Sequence, residues 1–232
     1  MGKPELLAFL SFHLGPLHIG PTVLTTWLVM ALLSAVAWGG TRRLSVAAPS
    51  RLQSALEAAV LALQGAIESA APGHAARLLP FIGTLWLFIG AANLIGVAPG
   101  LRSPTGDLSL TVALALLVFA SVHWFGIRID GLRGYLRHYL DPNPILLPFH
   151  LLGEITRTLA LAVRLFGNMM SGALIVGILV SITPLVFPVV MSALGLLIGM
   201  VQAYIFAILA AVYIAAATRK PRPEPTAAPA PD

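Results

Sequence analysis

Cysteine is absent from this 232-residue chain. That excludes disulfide frameworks, thiolate nucleophiles and Cys-based metal sites. Charge is scarce too: Asp, Glu, Lys and Arg together make up 10% of the residues, against about 25% in ordinary soluble domains. No G-x-x-x-x-G-K run occurs, so any nucleotide chemistry connected with the chain must lie on a partner. The net charge of +5 is not gathered on a polar basic face, which excludes nucleic acid as the partner. No inverted repeat of the kind many secondary transporters carry is visible. Nothing in the composition calls for a cofactor.

What the chain has instead is apolar length. Hydrophobic residues make up 58% of it, too many for water and appropriate to lipid. The expected fold is all-α: a polytopic bundle of about five membrane helices plus one interfacial helix. The first span is expected at 19–38, ended by Gly39-Gly40. The second is expected at 78–97 and the third at 108–127, with Asp107 as its cap. A very long segment begins between Pro144 and Pro148 and runs to about Val180. The last span is expected at 185–217. At about 1.5 Å per residue the long segment exceeds a hydrocarbon core of about 30 Å, so the last two helices are expected to tilt strongly.

Between the first and second spans, Ser50 and Gln53 have capping-box spacing. Leu52, Leu56, Leu63 and Ile67 share a face opposite Gln53, Glu57, Gln64 and Glu68, as in a helix lying at the interface. The loop 98–106 and Asp141-Pro142-Asn143-Pro144 read as breaks. Arginines follow the first span (Arg42, Arg43, Arg51), the third (Arg128, Arg133, Arg137) and the last (Arg219, Arg222). The positive-inside rule then places the N-terminus outside and the C-terminus in the cytoplasm. Residues 1–18 read as an outer segment without signal-peptide character, 19–218 as one membrane domain, and 219–232 as a disordered tail. Membrane lipid is therefore an expected partner.

The long segment carries the chemistry. His150, Glu154, Arg157, Leu161, Arg164, Asn168, Ser171 and Ile175 follow steps of three and four along it and so form one stripe. Arg164 is too deep to snorkel, and Glu154 lies about 15 Å away along the axis. A partner on another protein would answer that lone charge. His150 and Glu154 have two readings: proton-handling groups at the cytoplasmic mouth of an ion path, or polar residues at an interfacial helix end. Arg157 is expected to pair with Glu154 or a lipid phosphate. Gly195 and Gly199 form a small-xxx-small pair suited to close helix packing.

Arg164-Leu165-Phe166-Gly167-Asn168-Met169 resembles the signature of the a subunit of F-type ATP synthases. Glu154-Ile155-Thr156-Arg157 and Gln202-Ala203-Tyr204-Ile205-Phe206 are similar to its approach to the essential arginine and to its last-helix motif. Asn93-Leu94-Ile95-Gly96 and the stretch Pro104 to Thr111 match its motifs around the second and third spans. The resemblance covers about residues 80–217. It implies a fixed channel subunit, itself non-catalytic, in a bacterial inner membrane. Its partners would be a rotating c-ring and b-type peripheral stalk subunits. Arg164 would separate two half-channels, with Gln202 and Asn168 beside it. The chain departs from the family at Ala173 and Gly195, where titratable residues are usual in the outer half-channel. Asn168, Ser171, Ser192, Gln202 or water would then replace the relay, or the ion would be sodium. The rivals are a transporter holding an anion on Arg164 and a structural scaffold.

Overall fold

The computed structural model describes residues 12–14, 17–42, 49–97, 103–140, 147–182 and 186–218. Two short strands, β1 (Phe12–Leu14) and β2 (Leu17–Ile19), pair antiparallel with His13 opposite His18. The turn dipeptide Gly15-Pro16 stands between them in sequence. Six helices follow: α1 (Pro21–Thr41), α2 (Arg51–Ala70), α3 (Ala75–Ile95), α4 (Leu108–Leu140), α5 (Leu147–Ile182) and α6 (Val186–Ala217). Five are long and apolar enough to cross a membrane: α1, α3, α4 over Leu108–Ile129, α5 over Pro148–Ile182 and α6 over Val189–Ala217. The chain is a multi-pass helical membrane bundle. The break at 141–144, Thr183-Pro184 of the turn after α5, and the tail 219–232 lie outside the described residues.

Several boundaries differ from expectation for physical reasons. α1 runs through Gly39 and Gly40 to Thr41. Glycine weakens a helix but does not forbid it, and here the Thr41 hydroxyl donates to the Ala37 carbonyl at 2.8 Å while Arg42 stacks on Trp38, 3.7 Å from the ring centre. α4 continues past the third span as helix to Leu140, broken at Gly131 (φ 73°, ψ 161°). Only glycine takes that backbone conformation without strain, so the segment after Ile129, beyond the expected end of the third span, is a redirected helix.

α2 is helical from its cap, with Ser50 Oγ accepting from the Gln53 amide at 3.2 Å. Its expected apolar face is only half used. Leu63 and Ile67 are buried, whereas Leu56 is 62% exposed. The C-terminal half packs on the bundle and the N-terminal half projects. Gly73 turns the chain into α3 with φ 78°, and its amide donates to Glu68 Oε1 at 2.6 Å.

The core lies where α3, α4 and α6 meet one edge of α5. Ile82, Ile89, Val118, Leu161, Leu165, Phe206 and Ile214 are all buried there. Alanines at 203, 207, 210 and 211, all fully buried, let α6 approach its neighbours closely. At the other end of the bundle Asp107 caps α4, accepting from the Ser109 amide and hydroxyl. It also holds α1 through Thr22, whose hydroxyl donates to Oδ2 at 2.7 Å. Burial alone would push this carboxyl up, but the bonds from Thr22 and Ser109 outweigh it and hold it below the ordinary carboxylate value.

Candidate functional site

α5 is the least enclosed of the long helices. Only 6% of the residues in its apolar stretch are buried, against 39% in α3 and in α6. Its buried edge is Leu161, Ala162 and Leu165. The polar stripe read from the sequence runs along the margin of that edge and does not share one environment. Leu161 is 1% exposed and Glu154 and Asn168 are partly buried, while His150, Arg157, Arg164 and Ser171 are exposed.

Arg164 therefore points away from the bundle. It lies about 25 Å from either end of α5, beyond the reach of its side chain to a membrane surface. No side chain among the described residues bonds or pairs with it. An uncompensated arginine at such depth costs from about 3 to over 10 kcal/mol in lipid.

Next to this open face the structure brings Asn168 and Gln202 together across α5 and α6. Asn168 Nδ2 donates to Gln202 Oε1 at 2.7 Å. Gln202 is 3% exposed, and its Nε2 has no partner among the described residues. One turn earlier on α6, the Gly199 carbonyl accepts from Asn93 Nδ2 at 2.7 Å. Asn93 Oδ1 accepts from Thr105 at 2.6 Å, and Thr105 in turn meets Ser103 at 2.6 Å. A ladder of uncharged polar groups thus runs from the turn before α4 to the α5–α6 seam. Gly199 makes the contact possible, since a Cβ there would come within 3.0 Å of the Asn93 amide. Gly195 is different: a Cβ there meets nothing within 4 Å, so only half of the small-residue pair is a packing contact.

Ser171 is tied to its own helix, donating to the Gly167 carbonyl at 2.7 Å. Nearer the Arg128 end, Glu154 faces His123 of α4, with Nε2 3.5 Å from Oε2. The Arg157 guanidinium does not take that place. It lies over Tyr213 of α6, 5.9 Å from the ring centre. His123, Thr105 and Ser103 were missed from sequence. The signal for His123 was present, as a single titratable residue between Val122 and Trp124 in an apolar span.

The family profile "ATP synthase A chain" matches residues 23–215. "ATP synthase subunit a 2" of Pelobacter propionicus is 54% identical over 93% of this chain and 96% of its own length. "ATP synthase subunit a 1" of Chlorobaculum parvum is 58% identical over 88% of this chain and 91% of its own. "ATP synthase subunit a" of Legionella pneumophila is 48% identical over 93% and 94%.

Proposed function

The chain belongs to the ATP synthase A chain family, and from that premise we propose that its open α5–α6 face is the wall of an ion path, with Arg164 as the fixed charge that meets a carboxylate of the rotating c-ring. The family makes it a membrane subunit of the synthase complex and removes the transporter and scaffold readings. The observation that carries the site assignment is Arg164, exposed and without a partner among the described residues on a helix whose surroundings are apolar. Lipid does not accommodate that charge, whereas an ionised carboxylate on a neighbouring subunit does. Arginine also does not deprotonate in proteins. It favours the ionised form of each passing carboxylate and repels a cation leaking directly across.

Gln202, buried with a free amide donor, faces the same transaction through Asn168. His150 and Glu154 belong to the cytoplasmic half-channel. The polar ladder Ser103, Thr105 and Asn93 stands on the outer side, with Ser171 exposed near the seam. The cation is a proton on this reading. Sodium is the second reading, favoured by one observation: the ladder and the Asn168–Gln202 pair contain no group that titrates near neutral pH, and Ala173 and Gly195 add none. Polar and carbonyl groups suffice for a hydrated metal ion. ATP hydrolysis by the whole complex, with and without sodium, separates the two.

If the inner side carries the titrating groups, Glu154→Gln or His150→Ala lowers ATP-driven pumping in vesicles by about tenfold, and Ser171→Ala by less than twofold or so. A crippling Ser171→Ala beside two unaffected inner variants would reverse the assignment of the half-channels. The arginine pattern puts the C-terminus in the cytoplasm and the N-terminus outside, in a bacterial inner membrane, with the c-ring and b-type stalk subunits as partners. In this cysteine-free chain a single cysteine introduced at Pro225 is then labelled only from the cytoplasmic face. Labelling from outside would overturn the topology.

A further inference from the structure

His123 lies about 7–8 Å along α4 from Arg128, at the α4–α5 contact. Its ring rests on Phe119, 4.4 Å between ring centres. Its Nδ1 is 2.9 Å from the Phe119 carbonyl. A carbonyl only accepts, so Nδ1 carries the hydrogen, and the neutral ring keeps its lone pair on Nε2. That Nε2 faces Glu154 Oε2 at 3.5 Å. A lone pair facing a carboxylate oxygen is repulsive, and one shared proton turns it into an attraction. The pair is held together either as imidazolium with carboxylate or as neutral ring with carboxylic acid.

Two surroundings make this proton exchangeable. The His123 side chain is 32% exposed and that of Glu154 15%, so the ring is the more accessible partner. Beside Glu154, which lines it, a cavity of about 20 Å³ opens. It is walled by Val118, Phe119 and Val122 of α4, Arg157 and Thr158 of α5 and Tyr213 of α6. That is room for one water, which needs roughly 10–15 Å³ and polar partners. Of these walls, Val118, Phe119, Arg157 and Thr158 lie about one turn from the pair toward Arg164.

We propose that His123 and Glu154 form the proton relay of the inner half-channel, with His123 as the proton-collecting member. The proposal rests on the reading that Glu154 belongs to that half-channel and that the ion is a proton. The proton leaves Nε2 of the imidazolium and bonds to Glu154 Oε2, which neutralises both groups. Water on the cavity side takes it from the carboxyl, and the neutral ring regains a proton at Nε2 from the aqueous side. Among the described residues, the other titratable groups facing the pair are Arg157 on α5 and Tyr213 on α6. His150 stands one turn before Glu154 on α5, and Arg128 lies over Trp124 on α4, 5.3 Å from its ring centre.

The test is ATP-driven pumping by the whole complex in inverted vesicles, in sodium-free buffer, as the external pH rises from about 6 to 8.5, across the titration range of an imidazole. Wild-type pumping falls along that range. His123→Gln keeps an N–H donor for Glu154 but cannot titrate. It lowers pumping about tenfold and removes the falling limb. Glu154→Gln does the same, and the double variant is no slower than the slower single one. Wild-type rate and pH profile in His123→Gln overturn the relay and leave the histidine as a helix tie. If Glu154→Gln is equally normal, the inner half-channel reading fails with it. A normal Glu154→Gln beside a crippled His123→Gln also sinks the pairing, as does pumping that needs sodium and ignores pH. Should His123→Gln block assembly, the transposed pair His123→Glu/Glu154→His decides: regained pumping supports the relay, and none refutes it.

Discussion

Replacing Arg164 by alanine abolishes ATP-driven cation transport and leaves the subunit folded and inserted. Both halves of the expectation come from one geometry. The side chain is exposed and has no partner among the described residues, so truncating it costs the subunit no more than about 0.5 kcal/mol. With Arg164 in the role proposed above, the same truncation leaves each passing ring carboxylate without a counter-charge in a medium of low dielectric. Breaking such a pair costs about 3–5 kcal/mol, or a factor of roughly 150 to 5,000 in the population of the ionised state. Lysine is a poor replacement, because a compact ammonium lacks the planar fork and loses its proton when desolvated. Arg164→Lys therefore retains no more than a few per cent of coupled transport by the same scale. Pumping in vesicles, normalised to assembled complex, is the measurement. Wild-type pumping by Arg164→Ala would remove the site.

Gly199→Leu has the opposite signature, in that assembly fails before transport is reached. Asn93 is buried and committed on both sides, to the Gly199 carbonyl and to Thr105. A Cβ at position 199 would sit 3.0–3.2 Å from three atoms of its side chain, and the rest of a leucine has nowhere to go. Overpacking costs about 1–3 kcal/mol, and an orphaned buried amide about 1–3 more. Their sum is a large share of a total stability of about 5–15 kcal/mol. Gly195→Ala is the control, since its Cβ meets nothing within 4 Å. The readouts are thermal stability of the solubilised subunit and yield of complex. A Gly199→Leu variant that assembles and melts like wild type would contradict the packing described here.

The spans were legible because lipid imposes a length and a composition that few other environments do. The candidate site was legible through Arg164, whose cost in lipid can be stated without knowing any neighbour. What escaped the sequence was pairing at a distance. Asn168 and Gln202 are 34 positions apart, and His123 and Glu154 sit on different helices. Periodicity orders residues along one helix and is blind to which edge packs against another. For that reason the stripe on α5 was drawn as one surface, when Leu161 is core and Arg164 is open. Local breakers misled in the other direction: Gly39-Gly40 did not stop α1, whereas Gly131, which the sequence did not flag, redirects α4. Asn93 stood out in the sequence as part of a motif, but no composition rule pointed to Ser103 and Thr105 as the groups that continue its polar ladder.

The most direct test of the account is cysteine cross-linking in membranes that hold the assembled complex. The open face of α6 carries Val201 and Ile205, 51% and 36% exposed, whereas Ala207 is fully buried in the bundle. With a second cysteine placed beside the ring carboxylate, mild oxidation is expected to join the ring to cysteines at 201 and 205, and not to one at 207. Cross-links from 207, or none from 201 and 205 in a complex that pumps, would show that the ring runs along another face and that Arg164 answers some other charge.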